Sequence, residues 1–553
     1  MRTPTERLPA PGSRSSIEGP MNRHVVVVGG GPGGLATAIL LAGMGLKTTL
    51  IEAKATPGGR MGRIVEDGYA FDTGPTILQL PHVLAQIFSR AGLRIEDYVT
   101  LEPVDPNTRI HFWDGSHLDT FSDPHRNRDE WARLVPNGAD RFDRFFEEHT
   151  EKYAIAYDRF IAHDAHSLPS YFNPLRLLPA AKFMPWESLY RSLMRSLGDE
   201  RLVYAMSYPS KYLGLHPTTC SSVFSVIPFL ELAFGVWHPK GGFRALADGM
   251  LRAFEALGGV VRMESEVREI VVAGGATTGV KLATGEFIAA GHVVVNADLA
   301  LAKRALIAPE HRPHATDTAL ESHAYSCSTF MLYLGLDKVY RDVPHHAIYL
   351  SDGARRTDRD ALKDAALDEQ DAPFYVCNPT VSDPGNAPEG HSALYVLVPC
   401  PNTGVAVDWQ AKAKSFASHI KGRLAKVGIH DVERHIRFER SYTAETWRDD
   451  FRVFRGAVFN LSHTWMQLGP MRPKSRDEDI ENLHWVGGGT HPGSGLLTIF
   501  ESANIAATDI AARFGKPLAP SRAPSVDEAF PRPALRSANP DAQPLEHFLQ
   551  PEA

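Results

Sequence analysis

Cysteine is scarce in this 553-residue chain: there are four, Cys220, Cys327, Cys377 and Cys400, and no C-x-x-C pair. That spacing excludes a zinc knuckle and a thioredoxin-like redox motif, and fits scattered thiols in a reducing compartment. Long apolar runs are also missing. No window reaches the roughly 18 consecutive apolar residues that a spanning helix requires, and the opening MRTPTERLPAPGSRSSIEGP lacks the apolar segment of a secretory signal. Neither sign of charge dominates. Against 65 acidic residues stand 58 basic ones, a net charge of −7, so the broad positive field of a nucleic-acid-coating protein is absent and nucleic acid is not an expected partner. Neither H-E-x-x-H nor G-x-S-x-G occurs, which removes two common hydrolase signatures. No metal-ligand set is read from the sequence.

What is present is the composition of a folded protein: 43% hydrophobic and 22% charged residues, close to globular averages and too apolar for wholesale disorder. The length calls for a large core and more than one lobe. Apolar strands and amphipathic segments both occur and no solenoid or propeller repeat is found, which favours an α/β or α+β architecture. Residues 1–20, rich in proline, serine, glycine and charge, read as a disordered leader or as sequence upstream of the real start at Met21, and residues 516–553, Pro-rich and without an amphipathic period, read as a flexible tail.

The stretch HVVVVGGGPGGLATAILLAGMGLKTTLIEA reads as strand, glycine turn, helix of small residues and second strand ending in an acid. Gly29, Gly31 and Gly34 occupy the three glycine places of G-x-G-x-x-G: tight turn, close approach to a pyrophosphate, and close helix-to-sheet packing. The helix N-terminus then faces phosphate. Glu52, 23 residues after Gly29, ends the second strand, where a carboxylate can accept hydrogen bonds from an adenosine ribose. A dinucleotide is the expected ligand.

The continuation KATPGGRMGRIVEDGYAFDTGPTI, with Gly58, Gly59 and Arg60 soon after the acid, resembles the flavin-binding extension of the FAD-dependent amine oxidase superfamily. Near the other end, HWVGGGTHPGSGLLTIFESANIAATDIAARF resembles the C-terminal motif of phytoene-desaturase-type carotenoid oxidoreductases in that superfamily. Looser matches lie at residues 210–251, in the hairpin-like stretch that ends V-V-V-N-A-D, and at 455–473, so the resemblance spans about 21–515. It implies FAD as cofactor. Arg60 would give a charge-assisted contact to the pyrophosphate, Gly59 would lie against the cofactor, and Gly74, Pro75 and Thr76 would pass the isoalloxazine ring. Val267 would meet the adenine side through its backbone, Gly488 and Gly489 the phosphate side, and Gly495, Leu496 and Leu497 the ring, where a helix N-terminus meets developing negative charge. His491 and Glu501 are the candidate catalytic groups. For His491 the alternative is a turn histidine bonded to backbone, and for Glu501 a helix cap rather than a proton acceptor. Gly488 and Ser494 stand where the family often carries alanines, and Phe500-Glu501 replaces a smaller pair found in many members.

The implied architecture is a Rossmann-like FAD-binding domain with an inserted mixed α+β substrate-binding domain and a helical, membrane-facing portion. The FAD domain would be built from 21–100, 236–310 and 481–515, and the substrate domain from 101–235 and 311–480. The implied activity is desaturation of a long acyclic polyene of the phytoene or diapophytoene type, with hydride passing to flavin N5 and oxygen or a membrane quinone as final acceptor. Polyene cis-trans isomerisation, terminal-methyl oxidation, and a non-enzymatic lipid escort resembling the Rab GDP-dissociation inhibitors are the alternatives. In residues 171–200, Trp186, Leu189, Tyr190, Leu193 and Leu197 recur at helical spacing beside Arg176, Lys182, Arg191 and Arg195. That pattern suits either a helix covering the core or one lying on a membrane surface. The expected location is cytoplasmic, peripheral on the inner face of the cell membrane.

Overall fold

The computed structural model describes residues 23–162, 183–352, 371–516, 518 and 521–522. The expected leader, almost all of the expected tail, and Arg176 and Lys182 lie outside the described residues.

Two sheets organise the molecule. The first is parallel and five-stranded, in the order Leu483–Trp485, His292–Val295, His24–Val28, Lys47–Ile51 and Val260–Arg262. Its central strand, HVVVV, is β-branched and shielded on both faces, as a parallel sheet between helices demands. The helix Pro32–Gly43 crosses over from the first strand to the second. Its small residues Gly33, Gly34, Ala36 and Ala38 let the last helix, Leu496–Arg513, with Ala503, Ala506 and Ala507, pack closely on it. The helix Gly242–Ala256 packs there too, so three distant stretches of chain build one nucleotide-binding layer. The hairpin Val267–Ala273 with Ala276–Leu282 leads back into this layer through His292–Val295.

The second sheet has seven strands, in the order Ile436–Tyr442, Ser328–Leu336, Ser392–Cys400, Phe374–Cys377, His346–Tyr349, Thr108–His111 and His117–Thr120. All nine residues of Ser328–Leu336 are buried, because both faces are covered. Phe330, Leu332, Leu334 and Leu336 pack with Trp409, Phe416 and Ile420 of the helix Trp409–Arg423. Met331 and Tyr333 point the other way, into the main core, as the period-two alternation of a strand requires.

In the segment with helical spacing, the helix runs Leu189–Leu197 and begins at Ser188, whose side chain accepts from the Arg191 N–H. Leu189, Leu193 and Leu197 are buried in the core and Arg195 pairs with Glu187 at 2.7 Å. The helix therefore covers the core, and its apolar stripe is not free to meet a membrane. Trp186, just before it, is 74% exposed.

Candidate functional site

Among the described residues a cavity of about 1130 Å³ is lined from both sheets. A pocket for one small ligand takes roughly 300–1,000 Å³, so this one has room for more than a single ligand.

One end is walled by backbone. Gly29 has φ of +99°, and a β-carbon there would stand 2.3 Å from the Asn296 carbonyl oxygen. At Gly31 a β-carbon would meet the Asn296 amide at 2.5 Å, and at Gly34 it would meet the Gly29 oxygen at 2.0 Å. Gly31 caps the helix without a side-chain acceptor and no acid sits in its first turn. Its leading N–H groups and dipole thus face the cavity as an anion site. Glu52 accepts from the Gly30 N–H at 2.7 Å and from the Lys54 N–H at 2.8 Å, which fixes its carboxylate in the wall. Val267 lines the same end, with Asn296, Ala297 and Asp298 from the strand end that the sequence marked as V-V-V-N-A-D.

Arg60 lines the middle. It donates to the Val458 carbonyl at 2.5 Å, and burial holds its pKa below the usual guanidinium range against the opposing charge of Asp298. With its amide oxygen turned to Arg60 and its nitrogen to Asp298, Asn460 bridges the two at 3.0–3.3 Å. Across from it, the turn Asp72–Thr76 is held by tyrosines of the large sheet: Tyr333 donates to the Thr73 carbonyl and Tyr395 to the Gly74 carbonyl, each at 2.8 Å. Asp72 accepts from the Phe243 N–H at 3.0 Å, and burial raises its pKa to about 6. Gly74, Pro75 and Thr76 all lie in the wall.

The C-terminal glycine loop is carried by a buried cation. Arg472, 1% exposed, donates to the carbonyls of Gly488 at 2.7 Å, Thr490 at 3.0 Å, Gln467 at 3.2 Å and Leu461 at 3.2 Å. Carbonyl dipoles solvate the charge in place of a carboxylate, and burial lowers its pKa to about 9. His463 Nε2 accepts from the Ser494 N–H at 3.1 Å. Gly495, with φ of +115°, opens the last helix, and no side chain caps it. Gly488, Gly495, Leu496 and Leu497 line the cavity.

Beyond Gly74–Thr76 and Gly495–Leu497 the wall turns apolar, with Phe160, Phe183, Leu213, Phe224, Ile227 and Leu230. One amine interrupts it: Lys211, whose pKa burial lowers and whose nearest titratable neighbours are the thiols of Cys327 and Cys220. Trp465, Met466 and Met471 belong to the wall and are 61%, 70% and 48% exposed, and Pro185 of the wall adjoins exposed Trp186.

Two expected placements are corrected. Glu501 is not in the wall: it is fully buried behind it, accepting from the Tyr157 hydroxyl, from Ser521 at 2.6 Å and from Asn504 at 3.4 Å. The carboxyl sits on the side of the helix turned away from the cavity, so it touches no substrate, and burial raises its pKa. Gly489 also lies behind the wall, where a β-carbon would meet that of Leu299 at 2.9 Å. Gly34 supports the turn from behind, the close-packing role that its place in the glycine motif gives it. His491 does line it, with its peptide N–H donating to the Pro473 carbonyl at 2.8 Å.

Sequence reasoning singled out neither Arg472 nor His463, nor the tyrosines that hold the Asp72 turn, because their partners are distant in the chain. For Asn296 and Asp298 the signal was available: two polar residues directly after a run of buried valines.

Glycines that no β-carbon could replace, an open helix N-terminus and a fixed acid all fit a dinucleotide, and the second uncapped helix start fits a flavin ring. Fold and site define a flavin-dependent oxidoreductase. The sequence profile described as flavin containing amine oxidoreductase matches residues 32–511, and the chain belongs to that family. Its cofactor is FAD. Over 504 residues the chain is 59% identical to an all-trans-zeta-carotene desaturase of Myxococcus xanthus, covering 90% of this chain and 95% of that protein. A 4,4'-diapophytoene desaturase of a Methylomonas species is 38% identical, covering 88% and 94%. The structure of a putrescine oxidase with putrescine bound superposes with a TM-score of 0.60 at 15% identity, over 89% of this chain and 99% of that one. That last likeness speaks to the fold.

Proposed function

We propose that the protein is a carotenoid desaturase whose substrate is a partly desaturated acyclic carotene of the zeta-carotene kind. The observation that carries this is the 59% identity, over nearly the whole of both chains, to a zeta-carotene desaturase. The apolar half of the cavity supports it: a polyene offers no hydrogen bonds, so shape and exclusion of water are what can orient it. When bound, FAD supplies the hydride acceptor. The chain's own residues do the rest. Gly29, Gly31, Glu52 and Val267 hold the adenosine and pyrophosphate end, Arg60 with Gly488 the phosphates, and Gly59, Gly74–Thr76 and Gly495–Leu497 frame the ring. His491 sits in the wall as a positioning group, its orientation fixed by the loop that Arg472 carries. Residues 21–100, 236–310 and 481–515 act as the cofactor half, and 101–235 with 311–480 as the polyene half.

Trp186, Trp465, Met466 and Met471 form an apolar rim that would rest on the inner face of the cell membrane, from which a water-insoluble substrate is drawn. No helix among the described residues is long and apolar enough to cross a membrane. Oxygen or a membrane quinone takes the electrons onward.

The test is anaerobic mixing of flavin-loaded protein with liposomes carrying zeta-carotene, phytoene or diapophytoene. Bleaching of the oxidised-flavin band with a product two hydrogens lighter, fastest for zeta-carotene, is the expected result. An isomer of unchanged mass, a product that gained oxygen, or a colourless protein that only binds polyene would each replace this reading with one of its alternatives.

A further inference from the structure

Three imidazoles and a thiol meet where three stretches of chain come together. His238 belongs to the strand Trp237–Pro239, His345 directly precedes and His346 opens the strand His346–Tyr349, and Cys377 ends the strand Phe374–Cys377. All four are buried, none more than 3% exposed. The His345 ring lies 4.4 Å from that of His346 and 4.8 Å from that of His238, centroid to centroid. One donor atom from each of His345, His346 and Cys377 falls within 4.8 Å of the other two. Among the described residues, no other three His, Cys, Asp or Glu side chains gather their donor atoms so closely.

Each ring has one nitrogen engaged and one free. His238 Nε2 is 3.2 Å from Asp383 Oδ2, His345 Nδ1 is 2.6 Å from Ser382 Oγ, and His346 Nδ1 is 2.7 Å from Tyr375 Oη. No described group is within hydrogen-bond distance of the opposite atoms, His238 Nδ1, His345 Nε2 and His346 Nε2. A buried polar atom left without a partner is costly, and three in one place call for a partner that they share.

The engaged nitrogens decide what the free ones are. A carboxylate only accepts, so the proton of His238 sits on Nε2 and its Nδ1 is a lone pair. Ser382 donates to the Pro379 carbonyl at 3.4 Å, so it accepts from His345 Nδ1–H. Tyr375 has one proton to give and two other neighbours to take it, Thr76 Oγ1 at 2.7 Å and the Cys377 sulfur. It therefore accepts from His346 Nδ1–H. All three free nitrogens are then lone pairs. Histidines that bind metal are held in this way, with the second ring nitrogen donating to a carboxylate or another oxygen.

We propose that His345 Nε2, His346 Nε2, Cys377 Sγ and His238 Nδ1 bind a zinc ion in tetrahedral coordination. The donors select the metal: a thiolate with imidazoles suits zinc, whereas magnesium and calcium take oxygen ligands. On binding, the thiol releases its proton to solvent, the sulfur electron pair goes to zinc, and nothing is oxidised or reduced. Zinc with one thiolate leaves a single positive charge. Asp383, 7% exposed and bonded to His238, balances it.

Four protein ligands leave no open position, so the ion is structural. It ties the strand Trp237–Pro239, which leads into the helix Gly242–Ala256 of the nucleotide-binding layer, to two strands of the large sheet. Asp383 strengthens the same junction by accepting from the Gly241 N–H at 2.7 Å. Tyr375, which lines the cavity, is fixed from behind by two of the ligands.

In the experiment the flavin-loaded full chain is stripped with a chelator, mixed with zinc and freed of excess metal by gel filtration. About one equivalent is expected to stay bound, with X-ray absorption at the zinc edge showing one sulfur at about 2.3 Å and three nitrogens at about 2.0 Å. Less than about 0.1 equivalent, or a coordination shell without sulfur, overturns the proposal. Cys377→Ser and His346→Gln are each expected to weaken zinc binding about 100-fold and Asp383→Asn about 10-fold, while Cys220→Ser, at a buried thiol outside the cluster, keeps the wild-type affinity. Zinc held by Cys377→Ser as tightly as by wild type overturns the site. The absorption edge is read on the wild type, so a variant that fails to fold leaves that result standing. Zinc is also expected to raise the Tm of the wild type, and a Tm indifferent to zinc overturns the structural role.

Discussion

The two ends of the cavity are built by opposite means. At the cofactor end the wall is mostly main chain: glycines set against the Asn296 carbonyl and the Gly29 oxygen, and helix starts left without side-chain caps. At the far end it is side chain, from Phe183 and Phe224 to the exposed Trp465 and Met466. Backbone geometry is set by a few residues and tolerates almost no change, whereas an apolar wall can exchange one hydrophobe for another at modest cost. On the proposed reading the cofactor is thereby specified tightly, and the polyene by volume and length.

Breaking the first end should have the largest effect. Gly29→Ala places a β-carbon 2.3 Å from the Asn296 carbonyl oxygen at a φ of +99°; the purified protein is expected to be colourless, with no flavin absorption band. Next is Arg472→Met, which leaves the carbonyls of Leu461, Gln467, Gly488 and Thr490 without their donor. A loss of about 3 kcal/mol or more is expected for abandoned buried partners, visible as a lowered Tm and a poorer flavin content.

The other end should break more gently and in a different observable. Trp465→Ser with Met466→Ser is expected to cut co-sedimentation with liposomes about 10-fold, while flavin content stays unchanged. Equal losses in both assays would erase the distinction between the two ends.

The smallest effect concerns pH. Burial raises Asp72 from 3.8 to about 6, so between those values the folded protein keeps a proton that the unfolded chain gives up. Stability then falls as pH rises through that window. Asp72→Asn keeps an oxygen acceptor for the Phe243 N–H and removes the titration, and thermal melts of the variant should show a flatter slope from pH 4 to 6.

How much was legible in the sequence follows the same division. The backbone-built end could be read because Gly29, Gly31, Gly34, Glu52 and the 484–514 segment encode it locally, through turn, helix start and strand. Glu501 misled, because a carboxylate two turns into a helix next to a glycine motif carries no sign of which side it faces. Its side was decided by the partners Tyr157 and Ser521, neither of them near it in sequence. Leu189–Leu197 left two readings open on its own, and packing against the core decided between them. Arg472 and the Tyr395–Gly74 contact join stretches whose meeting no local pattern announces.

The contact between Ser521 and Glu501 also bears on where the chain can be shortened. A carboxyl sealed in the core takes one of its hydrogen bonds from a residue eight positions past the last helix, which ends at Arg513. Gln86, from the helix Pro81–Arg90, accepts from the Arg522 N–H at 3.2 Å. Ser521 and Arg522 thus act as a clasp that keeps a buried acid company, and cutting the chain at Lys516 would unfasten it.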